Sequence, residues 1–171
     1  MTPEFSRPVV LEEIGERELV RDIKATEEEC AALAKRFGLV SLTRLNANVH
    51  LRWVQGRKLL KLTGAFAADV EQSCVVTLEP VQEHIAGTLD ILFERPAKPA
   101  ALDERTVDMT SVDDAEPLPE TALDVGEVVA EELALSLNPY PRKPDASFGD
   151  KEAAERTPSP FDVLARLKRT N

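Results

Sequence analysis

Residues 42–54 alternate between apolar and polar side chains, and this pattern constrains the fold more than any other stretch. Successive side chains of a strand point to opposite faces, so the alternation predicts a half-buried antiparallel strand. Gln55-Gly56 supplies a turn, and residues 59–68 return as the next strand. The inward positions of this hairpin are Leu45, Ala47, Val49, Leu51 and Trp53, then Leu60, Leu62, Phe66 and Ala68. An apolar face of this length needs a cover.

Two segments have the pattern of helices that would cover that face. Thr26 can cap the first helix, with Glu29 at the capping-box spacing and Gly38 as a stop. Asp124 can cap the second helix, which runs to Leu137. The apolar stripes are Cys30, Leu33, Ala34 and Phe37 in the first helix, and Val125, Val129, Leu133 and Leu137 in the second.

Further strands are predicted on either side of the hairpin. Residues 6–11 suit an edge strand, because proline is tolerated there, and residues 17–25 suit another strand. Residues 69–81 read as a buried strand that ends at Pro80, and residues 84–93 follow as the next strand. Gly64 suggests a bulge or a sharp bend.

These elements predict an α+β fold. We expect a curled antiparallel or barrel-like sheet of about five to six strands, two covering helices and a short C-terminal amphipathic helix. A chain of 171 residues suits one domain. Residues 1–140 are expected to form that domain, with an acidic loop at 94–122, and residues 141–171 to form a polar linker followed by the basic amphipathic helix.

Charge and composition exclude several classes of protein. The net charge is −10, which argues against nonspecific binding to nucleic acid, and we expect no DNA partner. No apolar run is long enough for a membrane span, and the amino end does not resemble a secretory signal. Two cysteines imply no disulfide framework. We therefore expect a cytoplasmic protein with no membrane partner.

The predicted hairpin is nevertheless basic. Residues 39–68 contain five lysines and arginines and no acid. Such a face can hold RNA phosphates by charge and hydrogen bonds, although an ordinary solvated sheet face has the same pattern. It lacks the outward aromatic residues of a base-stacking platform. The candidate RNA-binding residues are Arg44, Asn48, His50, Arg52, Arg57 and Lys61.

No catalytic signature is present in the sequence. It has neither a glycine-rich phosphate loop nor a nucleophile elbow. Cys74 as a nucleophile would need an exposed thiol and a nearby base. Cys74 and His84 are too few ligands for a structural zinc site, which takes about four. We expect no enzyme activity, no metal and no cofactor.

The carboxyl-terminal segment has the pattern of a short amphipathic helix with a basic end. It either docks on its own domain or is held out for a partner, which would make the chain a protein-interaction module. The candidate partner-binding residues are Phe161, Leu164, Leu167 and Lys168.

Four pieces of the chain, in order, resemble the YceD family of large ribosomal RNA subunit accumulation proteins. They are residues 5–9 (FSRPV), 74–81 (CVVTLEPV), 124–139 (DVGEVVAEELALSLNP) and 160–168 (PFDVLARLK). The family motif falls on Cys74, Leu78, Glu79 and Pro80. Many relatives have a second cysteine three residues after the first and a further pair beyond the long helix. Here position 77 is Thr77 and residues 139–144 contain no cysteine, so a metal role does not carry over.

The resemblance implies a cytoplasmic, non-catalytic factor that supports accumulation of large-subunit ribosomal RNA. It leaves two mechanisms open. In the first, the basic hairpin contacts precursor ribosomal RNA, and the acidic loop keeps that contact weak. In the second, the acidic loop shields a basic ribosomal protein, and the hairpin is only structural.

Overall fold

The computed structural model describes residues 3–95 and 115–147. These residues form seven strands and two helices. In chain order they are β1 (Pro8–Val10), β2 (Leu19–Lys24), α1 (Glu27–Phe37), β3 (Ser41–Val54), β4 (Leu59–Ser73), β5 (Pro80–Glu94), β6 (Glu116–Pro117), β7 (Ala122–Asp124) and α2 (Val125–Ser136).

Five strands form one curled, open sheet in the order β2-β3-β4-β5-β6. Strands β2 to β5 pair antiparallel, and the short β6 pairs parallel to the end of β5. A separate two-stranded sheet joins β1 to β7. The predicted α+β fold is confirmed, and the strands expected within residues 6–11 and 17–25 are present as β1 and β2. The sheet does not close into a barrel.

The two helices cover the inner face of the sheet. The alternation in β3 and β4 places Leu45, Val49 and Leu62 inward, where none has solvent exposure. Leu33 of α1 and Leu133 of α2 are equally buried. Helix α1 packs mainly on β3, and α2 packs mainly on β5. The inner face is therefore the hydrophobic core, and the outer face carries the polar side chains.

Both predicted helix caps are present. The Thr26 hydroxyl accepts a hydrogen bond from the Glu29 amide, and the Glu29 carboxylate accepts one from the Thr26 amide. Gly38 ends α1 at φ 67°. Asp124 accepts bonds from the amides of Gly126 and Glu127. These caps satisfy backbone donors that a helix leaves unpaired.

The central stretch differs from its prediction. A single strand was expected to continue to Pro80, but β4 ends at Ser73 and residues 74–79 form a turn. Pro80 is the first residue of β5, a position at which its missing amide hydrogen costs no ladder bond. Leu78 does not continue the buried face, since its side chain is 78% exposed.

Gly64 is not at a bulge. Val49 and Gly64 pair in unbroken register, and the register shift lies between Leu42 and Arg44. At Gly64 φ is 157°, and a Cβ atom would lie 2.0 Å from the Asn48 carbonyl oxygen. The glycine therefore permits close approach of two strands rather than an extra residue.

The described part of the predicted acidic connection contains structure of its own. It includes β6 and the start of β7, and Leu118 between them is only 2% exposed. Phe161, Leu164, Leu167 and Lys168 lie outside the described residues. Across ranges 3–95 and 115–147, no helix is both long and apolar enough to cross a membrane.

Candidate nucleic-acid interface

The outer face of β3 brings most of the predicted RNA-binding residues together. Arg44, Asn48, His50 and Arg52 alternate along this face, and Lys61 of β4 lies directly opposite Arg52. Arg57 lies in the turn that joins the two strands. The structure thus places the six predicted residues on one face and at one end of one hairpin.

Four of the six residues have an acidic partner, however. One acid precedes β2 and the others belong to strands β2, β4 and β5, so all four lie outside the acid-free segment 39–68. The pairs are Arg44 Nε with Asp69 Oδ2 at 2.7 Å, Asn48 Nδ2 with Asp22 Oδ1 at 2.6 Å, His50 Nδ1 with Glu18 Oε2 at 3.1 Å, and Lys61 Nζ with Asp90 Oδ1 at 3.0 Å. Arg44 and Lys61 are therefore neutralised within the sheet, and Asn48 and His50 are each held by an acid.

Asp69 is the centre of the strongest of these clusters. Its carboxylate accepts a bond from His84 Nδ1 at 2.6 Å as well as the contact from Arg44. The hydrogen bond from His84, followed by that from Arg44, holds the pKa of Asp69 below its usual value. Arg44 and His84 are therefore both held by Asp69 and are not free to bind a phosphate.

The opposite end of the hairpin is different. Among the residues in the structure, no carboxylate lies within ion-pair distance of Arg52 or Arg57. The guanidinium carbons of Arg57 and Arg95 lie 5.1 Å and 5.0 Å from the centre of the Trp53 ring. Trp53 is itself fixed, because its Nε1 donates to the Ile14 carbonyl at 2.9 Å. We call Arg52, Arg57 and Arg95, with Trp53, the basic tip.

The turn that presents Arg57 has an unusual backbone. Gln55, Gly56 and Arg57 have φ angles of 50°, 65° and 68°. A left-handed conformation costs an L-residue about 1–2 kcal/mol. It reverses the chain tightly, and Lys58 donates to the Gln55 carbonyl to close the turn. The turn predicted at Gln55-Gly56 is confirmed, and it carries Arg57 beside Trp53.

Sequence reasoning missed two members of the basic tip. Trp53 was assigned to the inward face by its alternation, and it does pack against the core, but it is only partly buried and lies beside Arg57 and Arg95. Arg95 follows β5, and its amide bonds to the Lys58 carbonyl at 3.1 Å. Only the pairing of β4 with β5 reveals that Arg95 lies beside the β3–β4 turn.

The family-motif residues lie in and directly after the turn between β4 and β5, at the opposite end of the sheet from the basic tip. We call residues 74–79 the knuckle. It is closed by bonds from the Cys74 amide to the Glu79 carbonyl at 2.8 Å and from the Leu78 amide to the Cys74 carbonyl at 2.9 Å. Leu78 has φ 60°, a left-handed conformation that is rare for a bulky residue.

The loop after α2 holds the knuckle in place. The Val75 amide donates to the Pro141 carbonyl at 2.9 Å, and Lys143 Nζ lies 2.8 Å from Glu79 Oε2. The contact with Lys143 keeps the pKa of Glu79 below its usual value. Glu79 of the motif is therefore a structural anchor for the neighbouring loop.

Cys74 lies under the knuckle with no solvent exposure. A hydrogen bond from the Thr77 hydroxyl, followed by bonds from the backbone amides of Lys143 and Thr77, lowers the pKa of the Cys74 thiol to about 6. Groups of both the knuckle and the loop after α2 therefore contribute to the lowered pKa of Cys74. A buried thiol is a poor nucleophile site, and His84, the nearer histidine in sequence, bonds to Asp69 instead.

The other cysteine of the chain, Cys30, belongs to the hydrophobic core. Cys30 is buried in α1, and burial raises the pKa of its thiol, which suits core packing. Within the part of the chain that the structure describes, no cluster of three or more histidine, cysteine, aspartate or glutamate side chains is placed to hold a metal ion.

Comparison with known proteins gives one match. The family model described as "Large ribosomal RNA subunit accumulation protein YceD" matches residues 62–168. Neither a curated protein nor a solved structure matches the chain. The matched segment includes the knuckle, α2 and Arg95, whereas Arg52 and Arg57 precede it.

Proposed function

The chain belongs to the YceD family, and on that premise we propose that it is a cytoplasmic, non-catalytic factor that contacts precursor large-subunit ribosomal RNA through its basic tip. The family is described by a role in accumulation of large ribosomal subunit RNA, and this description supports the proposed process. That the basic tip makes the contact with this RNA is our own proposal.

The observation that carries this proposal is the charge at the basic tip. In a chain of net charge −10, Arg52 lies opposite another cation, Lys61, and no described acid offsets it. Lys61 is itself paired with Asp90, so Arg52 is the cation of this strand pair that is left without an acid. A phosphate bound at Arg52 would gain charge-assisted hydrogen bonds.

The basic tip favours unpaired RNA. Arg57 and Arg95 beside the Trp53 ring form flat surfaces, and splayed bases stack on aromatic rings and on guanidinium planes. The ion pairs elsewhere on the outer face limit the contact to a few phosphates. Binding would therefore be weak and reversible, and each phosphate contact would contribute a salt slope of about −0.7.

The test compares two charge-reversal variants in growing cells. Arg52→Glu with Arg57→Glu changes the basic tip, and Lys35→Glu with Arg142→Glu is the matched control. Both variants change the net charge by −4. Lys35 and Arg142 are exposed and belong to the end of the molecule at which α1 ends and the knuckle lies. The measurement is crosslinking followed by sequencing of the attached RNA and identification of the attached proteins.

We expect reads on large-subunit ribosomal RNA that are lost in the tip variant and kept in the control. Equal recovery from both variants would refute the basic tip as the contact. Recovery of RNA unrelated to the large subunit would refute the proposed process as well.

A basic ribosomal protein is the second candidate partner. Glu131 on α2 favours it, since burial, followed by the charges of Glu127 and Glu116, raises the pKa of the Glu131 carboxyl group. A basic protein surface would offset this concentration of acids. It would equally offset the charge of the acidic segment at 94–122 that the sequence predicts. Recovery of such a protein without RNA in the same crosslinking experiment would support this alternative over the first.

The third possibility is a general protein-interaction module that presents its carboxyl-terminal helix and makes no RNA contact. Its residues lie outside the described ranges, and it stays a prediction. Aspartate substitutions at Leu164 and Leu167 would abolish partner recovery under this hypothesis and leave RNA recovery unchanged under the first.

A further inference from the structure

Four apolar side chains are exposed at the end of the molecule that holds the knuckle. The exposed fractions are 45% for Val75, 78% for Leu78, 80% for Leu135 and 72% for Tyr140. They are a majority of the seven large apolar residues that are exposed in the described part of the chain. We call these four residues the apolar end. Grouped apolar exposure of this kind is typical of a surface that another segment covers.

The apolar end is held in a fixed shape. The Ser73 hydroxyl donates to the Leu78 carbonyl at 3.2 Å, and the Val75 amide donates to Pro141. Gln72 donates to the Asn138 carbonyl at 3.1 Å, which ties the end of α2, and with it Leu135, to the end of β4. Leu78 has a left-handed backbone although its side chain gains no burial from it. Such conformations persist where the surroundings impose them, often at binding sites.

We propose that residues 158–171 of the same chain cover the apolar end. The described chain ends at Ser147, one residue after Ala146, which lies near the knuckle. Lys143, Asp145 and Ala146 line a groove of about 350 Å³ together with Thr77 and Glu79. Phe161 follows Ser147 by fourteen residues, and a connection of that length spans at most about 50 Å. The described chain thus ends near this groove, and the tail that follows is long enough to reach the apolar end.

The sequence of the tail complements this surface. Phe161, Leu164 and Leu167 repeat at a spacing of three, which gives a helix one apolar side. The basic residues Arg166, Lys168 and Arg169 follow at its end. Glu131 and Glu132 lie one turn before Leu135 on α2, so negative charge borders the apolar end. The apolar side of the tail can therefore pack on the apolar end, and its basic residues can pair with Glu131 and Glu132.

Attachment favours the tail of the same chain over that of a second copy. A short tether keeps a segment at an effective concentration of about 1 mM, well above ordinary protein concentrations. The proposal is independent of what the basic tip binds.

Tyr140 is the only tyrosine of the chain, so its chemical modification reports directly on the apolar end. The experiment measures the rate of Tyr140 nitration by tetranitromethane in the full-length protein. Leu164→Asp with Leu167→Asp removes the apolar side of the tail. Thr157→Asp with Ser159→Asp is the matched control, with the same added charge next to that side. None of these substitutions touches the described domain.

We expect nitration in the wild type and in the control to be about tenfold slower than in the Leu164/Leu167 variant. That factor corresponds to about 1.4 kcal/mol in favour of the docked tail. Leu78→Ser changes an exposed side chain and should raise the nitration rate in the same way.

Two results would overturn the proposal. Equal rates in the wild type and in the Leu164/Leu167 variant would show that the tail leaves Tyr140 uncovered. Protection that disappears on dilution would assign the covering segment to a second copy. An unchanged Trp53 emission spectrum in every variant verifies that the domain is folded.

Discussion

Arg44 and Asp69 face each other on β3 and β4, and Arg44 Nε lies 2.7 Å from Asp69 Oδ2. Arg52 lies eight residues further along the same strand and has no such partner among the described acids. Two arginines that are equivalent in the sequence pattern therefore differ in the charge that they offer to a ligand.

This difference predicts unequal effects on RNA binding. Arg52→Gln should weaken binding of large-subunit ribosomal RNA fragments and reduce the salt slope by about 0.7, because one phosphate contact is lost. Arg44→Gln removes the same charge, but from a pair that is already neutralised, and should leave the salt slope unchanged. Filter retention at several salt concentrations measures both slopes. Equal reductions would contradict the assignment of the contact to the basic tip.

Ionisation of Cys74 should stabilise the protein at alkaline pH. The pKa of this thiol is lowered to about 6 in the folded protein, whereas an unfolded cysteine has a pKa of about 8.5. The stabilisation is therefore fully present above about pH 8.5 and is lost as the pH falls through about 6. Thiolate ultraviolet absorbance should titrate with a midpoint of about 6 in a Cys30→Ser variant, which leaves Cys74 as the only thiol.

The same titration has a matched control. Thr77→Val removes the hydroxyl that makes the main contribution to the lowered pKa of Cys74. The midpoint should rise toward the ordinary thiol value in this variant. A midpoint near 8.5 in both proteins would show that the thiolate does not join the knuckle to the loop after α2.

Gly64→Ala should destabilise the domain strongly. A Cβ atom would lie 2.0 Å from the Asn48 carbonyl oxygen, which belongs to the backbone in the middle of the sheet and cannot easily move away. We expect a loss of at least about 3 kcal/mol in the free energy of unfolding, measured by urea denaturation. Gly56→Ala meets no atom within 4 Å and should cost only about 1–2 kcal/mol, for its left-handed backbone. Similar losses at the two positions would contradict the close approach at Gly64.

Glu29 should make the protein sensitive to acid. Hydrogen bonds from Arg7 Nη1 and Nη2, at 2.7 and 2.9 Å, are the main cause that lowers the pKa of Glu29 to about 2. Since the folded value lies below the unfolded one, this stabilisation is present above about pH 4.5 and is lost as the pH falls toward 2.

Glu29→Gln should therefore cost about 1–2 kcal/mol at neutral pH, and its stability should approach that of the wild type near pH 2. Urea denaturation followed by helical circular dichroism measures both proteins across this range. Glu28→Gln removes a neighbouring exposed carboxylate without touching Arg7 and serves as the control. A pH-independent difference between Glu29→Gln and the wild type would refute the role of the ion pair.

Features with a local physical cause were predictable from the sequence. The alternation of β3 set its inward face, and the Thr26 and Asp124 caps marked two helix starts, because each signal lies within a few residues of the structure that it controls. The knuckle was not predictable in this way. Val76 and Leu78 continue the alternation of β4, and no glycine marks the left-handed backbone at Leu78.

The candidate site shows a similar limit. The excess of bases in residues 39–68 located the hairpin, but charge balance depends on which acids lie opposite in the sheet. Asp22, Asp69 and Asp90 reach their partners only through the pairing of four strands. Arg95 joined the basic tip for the same reason. Which cations are paired therefore depends on the long-range register of the strands. A single sequence does not give that register, so it could not distinguish the paired cations from Arg52 and Arg57.

The length of β3 and β4 has a consequence for how the molecule works. Strands of 14 and 15 residues are about 45 Å long measured along the strand, so the basic tip and the apolar end lie at opposite ends of the curled sheet, more than a Debye length apart. The energetic effects of substitutions at the two ends should therefore add. The sheet thus acts as a spacer that keeps RNA binding at the basic tip independent of tail docking at the apolar end.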